Sequence, residues 1–253
     1  MEFTILVIVV LFAFESVICY LPPSIKVCHL SDPELDRCII DSVDRIRPNI
    51  ASGDFGNGTK LLAMDPAFVQ RLDVDGGPSL QASFHNCTVI GAASFRIDKL
   101  HFDKRKKTIK VLLSLAMMNL RGKYSMRMKL SMLQLDGAGD FQTNSSDVKV
   151  LLKIHYTPVE RNADDGAGSR RPGIRFLPVD FKVKFAGPVR FNLQNLLNGR
   201  PELDQVANEA LNQNPDLLLD RAIPPIRRFF SDMFTTVANG VVRDADLDEV
   251  FPL

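Results

Sequence analysis

Between about residue 60 and residue 193 the chain alternates between apolar and polar side chains, and this two-residue period limits the possible folds more than any other feature. The clearest stretch runs from Leu120 to Met132. Its even-numbered residues are apolar, glycine or tyrosine, and its odd-numbered residues are Arg, Lys or Ser. Side chains of a β-strand point alternately to opposite faces, whereas a helix would scatter these residues around its axis. The pattern therefore predicts a long strand with one buried face.

The same period predicts four further strands, and the short connections between them favour antiparallel pairing. In one of them the apolar phase changes between Phe84 and Cys87, which predicts a β-bulge with Cys87 as an inert, buried thiol. The polar segment from Glu160 to Gly173 is predicted to be a mobile surface loop. The four strands cover Leu80–Ile90, Ile109–Met117, Val148–Tyr156 and Val179–Phe185.

Helical spacing of apolar residues flanks this β-region on both sides. Residues 32–47 are predicted to form an amphipathic helix that starts with a Ser31–Glu34 capping box and ends at Pro48. After about residue 193 the helical period returns, with Pro215 in a first turn. Pro224-Pro225 is expected to interrupt or kink the last helix, since proline lacks the N–H and clashes with the preceding turn. The sequence predicts one α+β domain.

The N-terminus resembles a secretory leader. Phe3 to Phe14 is apolar apart from Thr4, and at about a dozen residues it is shorter than the roughly 20 that a membrane-spanning helix needs. Val17-Ile18-Cys19 suits signal peptidase, so residues 1–19 are expected to be a signal peptide and residues 20–253 the mature domain. The mature protein is therefore expected in the extracellular space, without stable membrane insertion.

Cleavage would leave three cysteines in an oxidising compartment. Cys28 and Cys38 are ten residues apart around a helix start, so we expect them to form a disulfide, with Cys87 free. Three glycosylation sequons fit secretion. They begin at Asn57, Asn86 and Asn144.

The formal net charge of +1 is too small to indicate a nucleic-acid partner. The basic run from Lys104 to Lys107 is interpreted as a solvated turn between two strands, with an anionic membrane or partner surface as the alternative. Gly137-Ala138-Gly139 lacks the pattern of a dinucleotide loop and is interpreted as a turn or bulge entering Phe141.

No arrangement of residues points to catalysis. The histidines are widely spaced, and neither a Cys-x-x-Cys pair nor a Gly-x-Ser-x-Gly motif occurs. His155, between Ile154 and Tyr156, is interpreted as an ordinary strand histidine, and Asp164-Asp165 as solvated loop residues. The sequence predicts no enzyme activity, no metal and no cofactor.

The predicted inner faces of the strands are the candidate functional feature. Methionine is flexible and polarizable, and the stripe from Tyr124 to Met132 is rich in it. Such a stripe fits a packed core as well as the wall of a cavity for an apolar guest. The candidate ligand-contacting residues are Tyr124, Met126, Met128, Leu130, Met132, Val150, Leu152, Phe181 and Val183.

Several short motifs, in this order and spacing, resemble the insect takeout and juvenile-hormone-binding protein family over nearly the whole mature chain. They are Leu21-Pro22-Pro23 with Cys28 and Cys38, Gly137-x-Gly139-x-Phe141, the stretch Phe191 to Gly199, the series Leu203, Asn208, Leu211, Asn212 and Asn214, and the tail Leu247 to Pro252.

The resemblance implies a strongly curved antiparallel sheet around a long C-terminal helix, enclosing a hydrophobic tunnel, as in a single-domain relative of the bactericidal/permeability-increasing lipid-binding fold. It also implies a carrier for juvenile hormone, a related terpenoid or a fatty-acid-like lipid. A chemosensory carrier of odorant-like molecules and a secreted interaction protein with a filled core are the alternatives. A receptor or transfer partner stays open.

Overall fold

The computed structural model describes residues 21–22, 24–56, 58–130, 133–160, 172–197, 199–243 and 245–253. The predicted leader and most of the predicted loop after Glu160 lie outside these residues, although Gly173, expected at the end of that loop, begins a strand instead. In the described chain the helices are α1 (Leu35–Arg45), α2 (Arg47–Ser52), α3 (Pro201–Gln213), α4 (Asp216–Val241) and α5 (Leu247–Val250).

The strands form a single sheet of antiparallel neighbours, which confirms the predicted pairing mode. In the described chain they are β1 (Ala67–Asp75), β2 (Leu80–Ile90), β3 (Arg96–Asp103), β4 (Thr108–Leu130), β5 (Leu133–Val159), β6 (Gly173–Phe176), β7 (Asp180–Phe185) and β8 (Val189–Leu193). β2 and β3 pair with different halves of β4, and β6, β7 and β8 pair with successive parts of β5.

The long hairpin of β4 and β5 forms the centre of this sheet. Two predicted strands, 109–117 and 120–132, are one continuous strand, β4, and the predicted strand from Val148 is the second half of β5. The hairpin keeps one register throughout, and its ladder omits only the facing residues Ala116 and Asp147. Asp147 has a positive φ of 45°.

The inward phase of β4 and β5 changes at this irregular pair. On β4 the buried apolar residues are odd-numbered from Ile109 to Leu115, and the buried residues are even-numbered from Tyr124 onward. Met117, expected on the inner face, therefore points outward and is 59% exposed. A change of phase inside one strand looks like a break between two strands when only the sequence pattern is available.

The glycines of the predicted turn at Gly137 and Gly139 lie instead inside β5. The chain after β8 crosses them so closely that a Cβ atom on Gly137 would be 2.2 Å from the carbonyl oxygen of Asn195, and one on Gly139 would be 2.4 Å from that of Gln194. Glycine in a strand marks close approach of another backbone as well as a bulge, and here the close approach applies.

The N-terminal region differs from its prediction in its boundaries. α1 begins at Leu35, three residues later than expected, and the Glu34 N–H donates to Oδ1 of Asp32. Pro48 does not end the helix; it lies in the first turn of α2, where its missing N–H leaves no partner unsatisfied.

The cysteines are arranged as predicted. A disulfide joins Cys28 to Cys38, with the two Cα atoms 5.9 Å apart, and Cys87 is free and buried. The β2–β4 register shifts between His85 and Thr88, which confirms the predicted bulge.

Helix α4 runs through Pro224 and Pro225 without interruption. The two prolines remove the N–H groups that would bond to the carbonyls four residues earlier, yet α4 packs against the sheet on both sides of them. α4 contacts both β1 and β7, which lie on opposite sides of the β4–β5 hairpin. A single helix reaches both only because the sheet curls around it, so the predicted α+β fold is confirmed.

Candidate ligand-binding interior

The inside of the curled sheet holds two apolar clusters rather than one. The terminal cluster combines the first described segment, from Leu21 to Ile39, and the C-terminal segment with β3, β7 and the adjoining halves of β4 and β5, and includes Phe102, Tyr156 and Phe251. The distal cluster combines β1, β2, β8 and α3 with the hairpin half of β4 and β5, and includes Met128 and Leu135. The clusters separate where the inward phase of β4 and β5 changes.

The predicted ligand-contacting residues divide between these clusters. Tyr124, Met126 and Met128 are buried in the distal cluster. Val150, Leu152 and Phe181 are buried in the terminal cluster, and Val183 is half-buried against it. The side chain of Leu130 and all of Met132 lie outside the described residues. All the others face the interior, and their contact with a ligand stays a prediction.

The stripe of Tyr124, Met126 and Met128 is closely packed. Met126 and Met128 are 2% and 0% exposed, so almost none of their surface is accessible to water. The Tyr124 hydroxyl donates to the carbonyl oxygen of Gln194 at 2.9 Å, and burial followed by the charge of Asp204 raises the pKa of this phenol. Tyr124 therefore fixes the segment after β8 in place.

Helix α4 supplies inward residues that the sequence prediction left out of the site. Its buried residues are Leu218 and Ala222, each 7% exposed. The aromatic and aliphatic side chains further along the same helix pack against the clusters but are only half-buried: Ile226, Phe229, Phe230 and Phe234. Their helical spacing was visible in the sequence, but it did not show that they would remain accessible while the facing strands are buried.

Phe185 lies at the junction, since it packs against both clusters. It pairs with Val148, next to the irregular residue Asp147. On the helix side, the junction is spanned by Phe229, in the distal cluster, and Phe230, in the terminal one, with ring centroids 5.6 Å apart. A guest that occupies both halves must pass these three rings.

The interior offers little polar chemistry. Besides the tyrosines, the buried hydroxyls on the described parts of β4 and β5 are those of Ser145 and Thr108: Ser145 Oγ donates to the Met118 carbonyl oxygen, and Thr108 Oγ1 lies 2.9 Å from Nδ1 of His155. Burial raises the pKa of the Cys87 thiol to about 11, which keeps it protonated at neutral pH. In the described chain no three His, Cys, Asp or Glu residues lie close enough to hold a metal ion.

Amide side chains on the helices hold the free edges of the sheet. Asn212 Oδ1 accepts from the Phe191 N–H at 2.7 Å, and its Nδ2 donates to the Phe191 carbonyl oxygen at 2.8 Å. Asn208 does the same with Leu193, and Asn239 of α4 with Phe176. These side chains complete the hydrogen bonds of β8 and β6 that another strand would otherwise make.

Two of the predicted sequons are exposed. Asn86 lies in the bulge of β2, with a φ of 50°, and Asn144 lies on the outer face of β5. Asn57 is outside the described residues. Glycosylation at these positions stays a prediction. The Lys104–Lys107 segment forms the predicted turn, here between β3 and β4.

The comparisons with known proteins agree with this architecture. Residues 5–252 match the family model described as haemolymph juvenile hormone binding protein. The crystal structure of Epiphyas postvittana Takeout 1 is similar, with a TM-score of 0.76 at 19% identity, covering 90% of this chain and 100% of that one. Lipopolysaccharide binding protein matches with a TM-score of 0.39 at 11% identity, over 84% of this chain and 39% of that one, which is too weak to support a conclusion. No curated protein matches the sequence.

The described part of the chain has no helix that is both long and apolar enough to cross a bilayer. The family resemblance seen in the sequence motifs is confirmed by the family model, which spans almost the whole sequence. The chain belongs to the haemolymph juvenile hormone binding protein family.

Proposed function

We propose that this protein is a secreted, non-enzymatic carrier that holds a small hydrophobic ligand between the curled sheet and helix α4. The proposal rests mainly on one observation: where the sheet faces helix α4, the aromatic side chains of the sheet are buried and those of the helix are less so. Phe181 on the sheet is 7% exposed, whereas Phe230 and Phe234 on the helix, with ring centroids 5.8 and 5.9 Å from it, remain half-buried. Protein interiors are normally packed without such gaps, so accessible apolar rings inside the curl favour space for a guest.

The chemistry of the interior indicates the class of ligand. The buried members of both clusters are apolar residues, cysteines or tyrosines, without a charged side chain. A neutral terpenoid such as a juvenile hormone, or the chain of a fatty-acid-like lipid, fits this lining. Burying about 400 Å² of apolar ligand surface contributes roughly 10 kcal/mol at about 25 cal/mol per Å². The loss of ligand motion and the ordering of side chains oppose binding by several kcal/mol, so only part of this contribution appears as affinity.

Secretion is supported by the apolar leader and by the Cys28–Cys38 disulfide, since disulfides persist in oxidising compartments. The family description, which names a haemolymph protein, supports the same location.

Two enlarged variants test the proposal by displacement of a fluorescent fatty acid. Val183→Phe adds volume at a half-buried position on the same face of β7 as Phe181, so it should weaken binding about tenfold while changing the thermal midpoint little. Met128→Phe adds volume where the side chain is fully packed, so it should lower the midpoint and leave the affinity of the folded fraction unchanged.

Native mass spectrometry of protein from its natural source supplies an independent readout, because a co-purifying mass identifies the ligand class. Absence of any bound mass, together with no displacement signal in the wild type, would show that the interior is filled and would favour the interaction-protein alternative.

A further inference from the structure

The outer face of the sheet has two halves that differ in how their charges are balanced. In the half formed by β1, β2 and the hairpin end of β4 and β5, three of the five arginines and lysines among the described residues have acidic partners, and Arg71 pairs with Asp73 at 2.8 Å. Lys123 pairs with Asp140 at 3.0 Å and Arg127 with Asp136 at 3.1 Å. These cations are neutralised by side chains of the same face.

The other half, formed by β3, β7 and the facing parts of β4 and β5, has an excess of lysines. The strand pairing places Lys99, Leu112, Leu151 and Lys182 side by side in one row. The neighbouring row contains His101, Lys110, Lys153 and Asp180, and the row on the other side contains Arg96, Ser114, Lys149 and Lys184. We call these three rows the basic face.

Most lysines of the basic face have no acidic partner. Arg96 and Lys149 pair with Asp98, and His101 lies 3.5 Å from Asp36. Among the described residues no ion pair involves the remaining lysines of these rows, and four of them are exposed and one half-buried. They are Lys99, Lys110, Lys153, Lys182 and Lys184.

The turn from Lys104 to Lys107 extends the positive charge beyond the His101 row. Lys104 donates to the Leu30 carbonyl oxygen and Lys106 pairs with Asp103, while Arg105 and Lys107 are exposed. The formal net charge of the whole chain is only +1, so the charge on this face reflects its arrangement rather than a basic composition.

The basic face also exposes apolar surface at its centre. Leu151 is 41% exposed and lies next to the half-buried Leu112. Both line a groove of about 930 Å³ between this face and helix α1, which contributes Ile40 together with the charged residues Asp36, Arg37 and Asp41. A polyanion such as a sulfated polysaccharide would use the lysines alone, whereas a lipid surface can use the lysines and the leucines together.

We infer that the basic face is a docking surface for membranes rich in anionic phospholipid. The lysines contact lipid phosphates and carboxylates, and Leu151, with the groove beside it, contacts the acyl-chain boundary. The orientation leaves the curled interior on the opposite side of the sheet. This inference does not depend on what the interior binds, since the docking residues and the interior residues point to opposite faces.

Co-sedimentation of the full chain with vesicles tests the inference. The wild type should bind vesicles made of equal parts phosphatidylcholine and phosphatidylserine at low ionic strength, bind much less at high ionic strength, and not bind vesicles of phosphatidylcholine alone. Lys110→Glu with Lys182→Glu should reduce binding by about tenfold or more, because each lysine contributes to attraction by an anionic surface.

The matched control is Arg121→Glu with Lys129→Glu, which reverses two exposed cations on the charge-balanced half. It should bind as the wild type does. Leu151→Ser should weaken vesicle binding without changing retention on heparin, which separates the lipid surface from a polyanion. Lys153→Gln with Lys182→Gln repeats the test with milder changes if the reversed variant has a lowered thermal midpoint.

Equal loss of binding in the control and test pairs would overturn the inference, as would equal binding to neutral and anionic vesicles. Retention on heparin without any vesicle binding would also overturn it and identify a polyanion as the occupant.

Discussion

At the scale of single residues, the amide of Asn212 shows how one side chain replaces a missing strand. Its two hydrogen bonds to Phe191 satisfy a backbone N–H and carbonyl at the edge of β8. The sequence motif containing Asn208 and Asn212 identified the family, but only the structure shows that residues four apart on α3 reach alternate residues of one strand. The pattern of an edge strand does not show which helix will cover it.

Asn212→Leu should destabilise the fold by about 2–3 kcal/mol, because it leaves two partly buried backbone groups without partners. Chemical denaturation gives the free energy of unfolding directly. The neighbouring exposed residue provides the control, since Gln213→Leu should change the free energy of unfolding by less than about 0.5 kcal/mol. Equal effects of the two changes would show that the amide bonds contribute nothing specific.

The buried thiol of Cys87 gives a prediction about pH. Its pKa is raised from 9.0 to about 11 in the folded chain, so the unfolded chain loses this proton first as the pH rises. Its contribution to stability is therefore complete below about pH 9 and is lost between pH 9 and 11. The free energy of unfolding is measured for the wild type and for Cys87→Ala, and the titration of all other groups cancels in the difference. This difference should shift against the wild type as the pH rises from 9 to 11. A constant difference between the two proteins from pH 8 to 11 would contradict the burial effect.

At the scale of elements, the alternation of apolar residues predicted β2, β4, β7 and the second half of β5, together with antiparallel pairing, but it did not identify β1, β3, β6 or β8. It divided β4 into two because the inward phase changes at Ala116, and Met117 was consequently assigned to the wrong face. The change occurs where Ala116 faces the irregular residue Asp147, which lies 31 positions further along the sequence, so the local pattern around Ala116 did not reveal it. For the same reason, no local pattern showed that the chain after β8 would cross Gly137 and Gly139.

Gly137→Ala tests that crossing. The added Cβ would meet the Asn195 carbonyl oxygen at 2.2 Å, so the segment between β8 and α3 must move. We expect a loss of about 2 kcal/mol or more, seen as a lower thermal midpoint. Ala138→Ser, at the exposed residue between the two glycines, should leave the midpoint nearly unchanged. An unchanged midpoint in Gly137→Ala would contradict the close approach of the Asn195 carbonyl oxygen to Gly137.

At the scale of the whole molecule, the sequence predicted which faces point inward but not which of those residues line space. The residues singled out on β4, such as Met126 and Met128, are fully packed, while the accessible rings belong to α4. Packed and accessible inner faces have the same two-residue period, so periodicity alone does not separate them. The division of the interior into two clusters likewise depends on the paired irregularity of β4 and β5.

This division leads to a prediction about ligand length. α4 has 26 residues and, at about 1.5 Å per residue, extends along both clusters. A long acyl chain must pass Phe185 to use both halves, whereas a short one fits in a single half. Phe185→Trp narrows the junction, so it should weaken binding of stearate about tenfold and leave binding of decanoate within about twofold. Lys184→Trp, which places the same ring on the outer face of β7, should affect neither lipid. Displacement of a fluorescent fatty acid by each lipid measures both affinities, and equal losses for stearate and decanoate would show that the two clusters do not act as one continuous interior.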